Sequence, residues 1–394
     1  MRNASLNPTE LRITVSLAAV FAARLLGLFM VYPVFADLAR HLTGATPATI
    51  GLALGMYGLA QGLLQIPLGL LSDRIGRKPV IVAGLAVFVA GSVVAALSTS
   101  ILGVTFGRLL QGGGAVGSSI LAWTGDRTRE EVRTRAMAIV GVTIGLSFAL
   151  ALVVGPAIAA RQGLSGIFWV TAALGLGGIG VTLTLVPESA RLAPIGQGSV
   201  LRNFGRVIRD RQLLRLDAGI FALHAILTAS FLVLPREVLA TFHTSPADVW
   251  RIYLPILLAS IALMVPAVGA AEALGRMKEV YVGAILVLAA SLVVLAGAST
   301  ETVSFVALSG FFAAFNVMEA ILPSLITKTA PANAKGAATG LYSSSQFLGI
   351  FAGGAGGGAI LASWGEHGVW TFAGVLAVLW LLTALTMRRP VQRR

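Results

Sequence analysis

Apolar residues along this chain gather into runs far too long for a soluble domain. Runs lie near 11–36, 47–71, 79–98, 101–124, 135–160, 165–186, 214–239, 250–272, 279–298, 302–327, 336–362 and 367–387, and a helix needs about 20 mostly apolar residues to cross the hydrocarbon core of a bilayer. Strands of a membrane barrel would be about 10 residues long with alternating polarity, and no such alternation occurs. The pattern predicts an all-α integral membrane protein with twelve transmembrane helices. The first run exceeds a secretory h-region and carries Arg24, Asp37 and Arg40 instead of a small-residue cleavage site, so it reads as the first permanent helix.

Polar residues divide these runs unevenly. The longest polar connection, roughly Pro187 to Arg215, holds Pro187, Pro194, Gly196, Gly198 and a series of arginines. It separates an N-terminal six-helix bundle (1–186) from a C-terminal one (214–394) through a linker over 187–213. Within the linker, RNFGRVIRDRQLLR has the pattern of a basic amphipathic helix lying on a membrane surface, with a solvated connection as the alternative. A repeat supports two related halves: SDRIGRKPVIVAG at 72–84 aligns with AEALGRMKEVYVG at 271–283, an offset of 199 residues that pairs Asp73 with Glu272, Gly76 with Gly275 and Arg77 with Arg276. The same offset pairs Gly141 with Gly340, Phe148 with Phe347 and Gly155 with Gly354. Two pseudo-symmetric bundles around a midplane cavity suit alternating access.

Composition agrees: 56% of residues are hydrophobic and 11% charged, against roughly a quarter charged in soluble domains. The absence of cysteine excludes disulfides, thiolate catalysis and cysteine-ligated metals. A net charge of +13 raises the question of nucleic acid, which the placement of the cations answers. With both termini cytoplasmic, nearly all of the 29 lysines and arginines fall on cytoplasmic segments; Arg40, Arg161, Arg236 and Arg251 lie on the other side, and Arg24 and Arg108 lie within spans. This is the positive-inside pattern, so the basicity reports orientation and anionic lipid headgroups, and no nucleic-acid partner is expected.

The most charged short stretch is GLLSDRIGRKPV, Gly69 to Val80, between the second and third runs. Gly76 permits a tight turn, Pro79 suits the first turn of a helix, and Asp73 suits free amides at a helix N-terminus. The stretch closely resembles the loop signature of the major facilitator superfamily, G-x-L-x-D-R-x-G-R-K, through Gly69, Leu71, Asp73, Arg74, Gly76, Arg77 and Lys78. That resemblance implies the major facilitator fold and a latch closing the cytoplasmic side, with Asp126 as the partner of Arg77. Span four, ILGVTFGRLLQGGGAVG, resembles the R-x-x-Q-G motif through Arg108, Gln111 and Gly112, implying a part in proton coupling. Span five has Gly155 and Pro156 of the antiporter motif G-P-x-x-G-G, but Ala159 and Ala160 replace its glycine pair, leaving small-residue helix packing as the competing reading. FAARLLGLFMVYPVF, FFAAFNVMEAILPSLITK and LYSSSQFLG are similar to the YajR-type group of twelve-helix drug/proton antiporters. The resemblance implies a multi-pass protein of a bacterial cytoplasmic (inner) membrane. Members of that group carry a small soluble domain after the last helix; the sequence ends at Arg394, so none is expected here.

Ionisable groups inside spans are functional candidates by default. Glu319 is the first candidate proton carrier, because the proton occupancy of a carboxyl group follows the polarity around it. His224 is the second, since an imidazole titrates near neutrality; a satisfied packing histidine is the alternative. Arg24 and Arg108 complete the proton-coupling set, the partner of Arg24 being unreadable from sequence. Asp37, Asp217 and Glu272 lie near span ends. Phe29, Tyr32, Phe311, Phe315 and Asn316 are candidates to line an apolar cavity with a polar anchor. No catalytic residue, metal site or cofactor is expected, for H-E-x-x-H, G-x-S-x-G and the Walker pattern are all missing. The expectation is a monomeric proton-coupled transporter that exports a small, lipophilic molecule. A facilitator or symporter of a metabolite or sugar on the same fold is the alternative.

Overall fold

The computed structural model describes residues 5–188, 197–331 and 333–388. The cations Arg2, Arg191, Arg389, Arg393 and Arg394, and the linker residues Pro194 and Gly196, lie outside the described residues. The chain is helical throughout: α1 (Pro8–Phe29), α2 (Tyr32–Leu38), α3 (Pro47–Ile75), α4 (Arg77–Leu97), α5 (Ile101–Gly113), α6 (Gly117–Asp126), α7 (Glu130–Thr184), α8 (Gln197–Val207), α9 (Arg211–Ser230), α10 (Leu234–Thr241), α11 (Trp250–Ala273), α12 (Met277–Leu295), α13 (Glu301–Thr329) and α14 (Lys335–Leu385). Among the described residues, β pairing amounts to one isolated bridge, Thr43 to Ser100, and nine helices are long and apolar enough to cross a membrane.

Two of these helices are too long to be single spans. α7 has 55 residues and α14 has 51, about 80 Å each at 1.5 Å per residue, more than twice the roughly 30 Å of a hydrocarbon core. Each is broken by one glycine with nearly the same backbone: Gly163 at φ 65°, ψ −162° and Gly365 at φ 68°, ψ −163°. Positive φ is cheap only for glycine, so the chain turns there. These breaks fall between predicted runs. Three others fall inside them: the first run is interrupted between α1 and α2 at Met30–Val31, the fourth between α5 and α6 at Gly114–Val116, and the seventh between α9 and α10 at Phe231–Val233. Gly155 of α7 fits the first break closely, since a Cβ there would lie 2.6 Å from the Met30 carbonyl oxygen.

The chain forms two compact units, Met1–Ala45 with Leu59–Pro194, and Thr46–Gly58 with Ile195–Arg394. In the first, α1 and α4 pack on α7, and α4 on α5 through Gly91 and Gly107, where a Cβ would come within 2.7 Å of the neighbouring backbone. In the second, α9 packs on α14 through Gly349, Gly353 and Gly357, the small-residue packing expected of helices in lipid. Lys78 donates to the Leu183 and Val186 carbonyls at 3.1 and 3.0 Å, at the end of α7; Lys278 donates to those of Leu385 and Met387 at 3.0 and 2.6 Å, at the end of α14. A lysine capping free carbonyls at a helix end thus appears once in each unit.

Candidate functional site

In the first unit, the charged stretch closes on itself. α3 ends at Ile75, Gly76 takes φ 103°, ψ 152°, and α4 begins at Arg77. The Arg77 guanidinium is nearly buried, pairs with Asp73 one turn earlier, and meets Asp126 Oδ2 at 3.2 Å from the end of α6. Its Nη1 also donates to Ser72 Oγ at 2.6 Å, and Ser72 donates to the Gly69 carbonyl at 2.7 Å. One cation is thereby shared between two half-buried carboxylates on α3 and α6. Within this unit Asp73 serves Arg77, not a free helix N-terminus. Gly69 lets α3 approach α6, its Cβ position lying 3.1 Å from Ser118 Oγ. Arg74 is exposed, and Lys78 caps α7 as described.

The two intramembrane arginines of this unit are held by neutral amides. Arg24 of α1 is buried, donates to Gln61 Oε1 of α3, and stands 5.7 Å from the Phe88 ring centre; Gln61 in turn donates to Gln65 Oε1 at 3.2 Å. Arg108 of α5, fully buried, donates to Gln111 Oε1 at 3.0 Å, Gln111 donates to Ser92 Oγ at 2.9 Å, and Ser92 donates to the Phe88 carbonyl at 2.7 Å. The R-x-x-Q-G spacing sets arginine and glutamine at i and i+3 on one helical face, and the chain they start runs into α4. Asp37 is exposed on α2.

The second unit brings the two proton-carrier candidates together. His224 of α9 is buried, with Nδ1 3.3 Å from the Ile220 carbonyl and Nε2 2.9 Å from Gln346 Nε2 of α14. Glu319 Oε1, on α13, stands 3.6 Å from His224 Nε2 and makes no hydrogen bond among the described residues. A carbonyl only accepts, so Nδ1 carries the hydrogen; Nε2 of the neutral ring is then an acceptor, matching a donating Gln346 amide. Phe315, one turn before Glu319, packs on the imidazole at 5.7 Å between ring centres. Phe311 packs edge-on to Phe312 at 5.3 Å, and Asn316 donates to Ser260 Oγ of α11 at 2.9 Å. In the first unit, Phe29 stacks edge-on with Tyr32 and Phe148 at 6.2 and 5.1 Å.

Gln61, Gln65, Ser72 and Gln346 are partners that sequence reasoning missed. For the three glutamines the signal was a polar residue inside an apolar run, with Gln61 and Gln65 at i and i+4; Ser72 lies in the charged stretch itself, beside Asp73. Asp217, predicted near a span end, is buried in α9, and neither carboxylate oxygen has a hydrogen-bond partner among the described residues. Also among those residues, no group of three or more His, Asp or Glu side chains comes together to hold a metal.

Comparison with known proteins agrees with this architecture. Inner membrane transport protein YajR of Escherichia coli (strain K12) is 45% identical over 392 residues, covering 99% of this chain and 86% of that protein. An uncharacterized transporter of Buchnera aphidicola subsp. Acyrthosiphon pisum is 31% identical over 88% of this chain and 90% of its own length. Among solved structures, a bacterial homolog of the human lysosomal transporter Spinster, inward-facing and occupied, superposes with a TM-score of 0.78 at 15% identity over 98% of both chains. The human organic anion transporter MFSD10 gives 0.71 at 19% identity, over 96% of this chain and all of that one. The Major Facilitator Superfamily family model matches residues 17–250 and again 219–394, and the chain belongs to that superfamily of membrane transporters.

Proposed function

We propose that this transporter exchanges protons for a small, lipophilic molecule, which it exports across the bacterial inner membrane. The coarser statement stands on the comparisons: it is a multi-pass membrane transporter, not an enzyme, and resembles an inner membrane transport protein. Twelve spans, two six-helix bundles and cytoplasmic termini complete the topology we propose. With no nucleotide-binding motif in the sequence, an ion gradient supplies the work.

The observation that carries the proton reading is the contact of His224, Gln346 and Glu319, contributed by α9, α14 and α13. A neutral His224 holds Gln346 through Nε2. A proton added at Nε2 sets two donors against each other and turns the imidazolium toward the Glu319 carboxylate, 3.6 Å away. One proton therefore exchanges an α9–α14 hydrogen bond for an α9–α13 ion pair, a two-state element of the kind alternating access needs. Apolar rings in each unit, Phe311 and Phe315 in the second and Phe29 and Tyr32 in the first, favour a lipophilic cargo. In the latch role, Asp73, Arg77 and Asp126 hold α3, α4 and α6 together, while Gly69, Arg74, Gly76 and Lys78 shape and orient the turn. Arg24 and Arg108 complete the proton-coupling set as buried fixed charges on α1 and α5.

The test is proton flux in proteoliposomes under an imposed pH gradient, screened with lipophilic cations, dyes and sugars. Proton movement triggered by substrate and opposite to it is the expected result; substrate movement indifferent to the gradient would make the protein a facilitator.

A further inference from the structure

α8 carries a stripe of cations that transport does not use. Arg202, Arg206 and Arg209 recur at i, i+4 and i+7, so they share one side of the helix and the turn that continues it. Together with Gly205 and Asp210 they line a cavity of about 560 Å³. Asp210 is the one carboxylate against three guanidinium groups in this lining, and its Oδ1 caps α9 by accepting from the Gln212 and Leu213 amides at 2.8 and 3.3 Å. Arg202 and Arg209 make no ion pair among the described residues. The cavity is braced: Asn203 Nδ2 donates to the Asn333 carbonyl at 2.9 Å, Arg206 Nη1 donates to Asn333 Oδ1 at 3.3 Å, and Val207 is fully buried.

We propose that this cavity binds an anionic lipid whose headgroup carries two phosphates. Guanidinium forks match phosphate oxygens geometrically. Seven residues separate Arg202 from Arg209, a rise of about 10 Å along the helix, more than one phosphate can bridge and within reach of two. A lipid is favoured over a soluble anion because α8 lies between the membrane-crossing helices α7 and α9, and the neighbouring Ile208 and Leu214 expose their side chains. Such basic pockets at the face of a bilayer suit multiply charged headgroups.

Native mass spectrometry of the full chain in neutral detergent tests this with three probes: diphosphatidylglycerol, phosphatidylglycerol and inorganic pyrophosphate. The paired variant Arg202→Gln/Arg209→Gln leaves the Arg206–Asn333 contact in place, and Arg12→Gln/Arg388→Gln removes two other cations as a control. Diphosphatidylglycerol should bind the wild type and the control alike, at least about tenfold more tightly than it binds the Arg202/Arg209 variant, and more tightly than phosphatidylglycerol binds. Equal weakening in both variants would reduce the stripe to diffuse surface charge. Equal binding of the two lipids would remove the two-phosphate reading, and displacement of bound lipid by equimolar pyrophosphate would make this a site for soluble anions.

Discussion

Gly353→Ala should damage the protein out of proportion to the methyl group it adds. A Cβ at this position would lie 2.2 Å from the Ala225 carbonyl oxygen, 2.7 Å from its Cα and 2.8 Å from its carbonyl carbon, whereas ordinary contact begins at 3.4 Å. The obstructing atoms are all backbone, so no rotamer change relieves them; α14 must move away from α9 by more than 1 Å. Gln346 rides on α14 and His224 on α9, one residue before Ala225, so the 2.9 Å Gln346–His224 contact would open toward the limit of a hydrogen bond. Overpacking of this kind costs about 1–3 kcal/mol, reduced by the up to 1 kcal/mol or so that alanine gains over glycine within a helix. Gly374→Ala, on the same helix with nothing within 4 Å of its Cβ position, keeps the gain without the clash. Unfolding free energies in mixed micelles should place Gly353→Ala below wild type and Gly374→Ala at or above it. If the two variants unfold alike, the close approach of α9 and α14 is wrong.

The latch should behave as one unit. Asp73→Asn or Asp126→Asn alone leaves Arg77 one carboxylate and should cost about 1 kcal/mol, while the double variant strands a nearly buried guanidinium and should cost roughly 3 kcal/mol; a double variant no worse than either single would dissolve the network. Gly76→Ala forces a side chain into φ 103°, ψ 152° and should lower stability by about 1–3 kcal/mol, whereas Gly141→Ala, in open space, should not; equal thermal midpoints would contradict that turn geometry.

Much of this fold was legible because lipid imposes one rule, that apolar runs of sufficient length become helices. Gly163 and Gly365 lie where one run gives way to the next, so the chain reversals could be read. The breaks at Met30–Val31 and Gly114–Val116 fall within apolar stretches and left no trace in hydropathy; they depend on packing, such as Gly155 against the Met30 carbonyl. Charge was the legible part of the site. Arg77 and Asp126 stood out through the charged stretch and the motif it resembles, and His224 and Glu319, each on its own, as ionisable groups inside apolar runs. The side chains that complete the networks are amides and hydroxyls, Gln61, Gln111, Ser92 and Gln346, and a neutral polar residue gives no sign of its partner until the helices are packed. Arg24 illustrates the point: a carboxylate was the natural partner to seek, and the neutral amide of Gln61 accepts from it.

The most direct test is gradient-driven transport by Glu319→Gln in proteoliposomes, measured with a lipophilic cation that the wild type moves. The account predicts that an imposed pH gradient no longer drives accumulation, while exchange of the cation in the absence of a gradient continues and shows the variant to be folded. Accumulation that still follows the gradient would contradict it and remove Glu319 from the proton path.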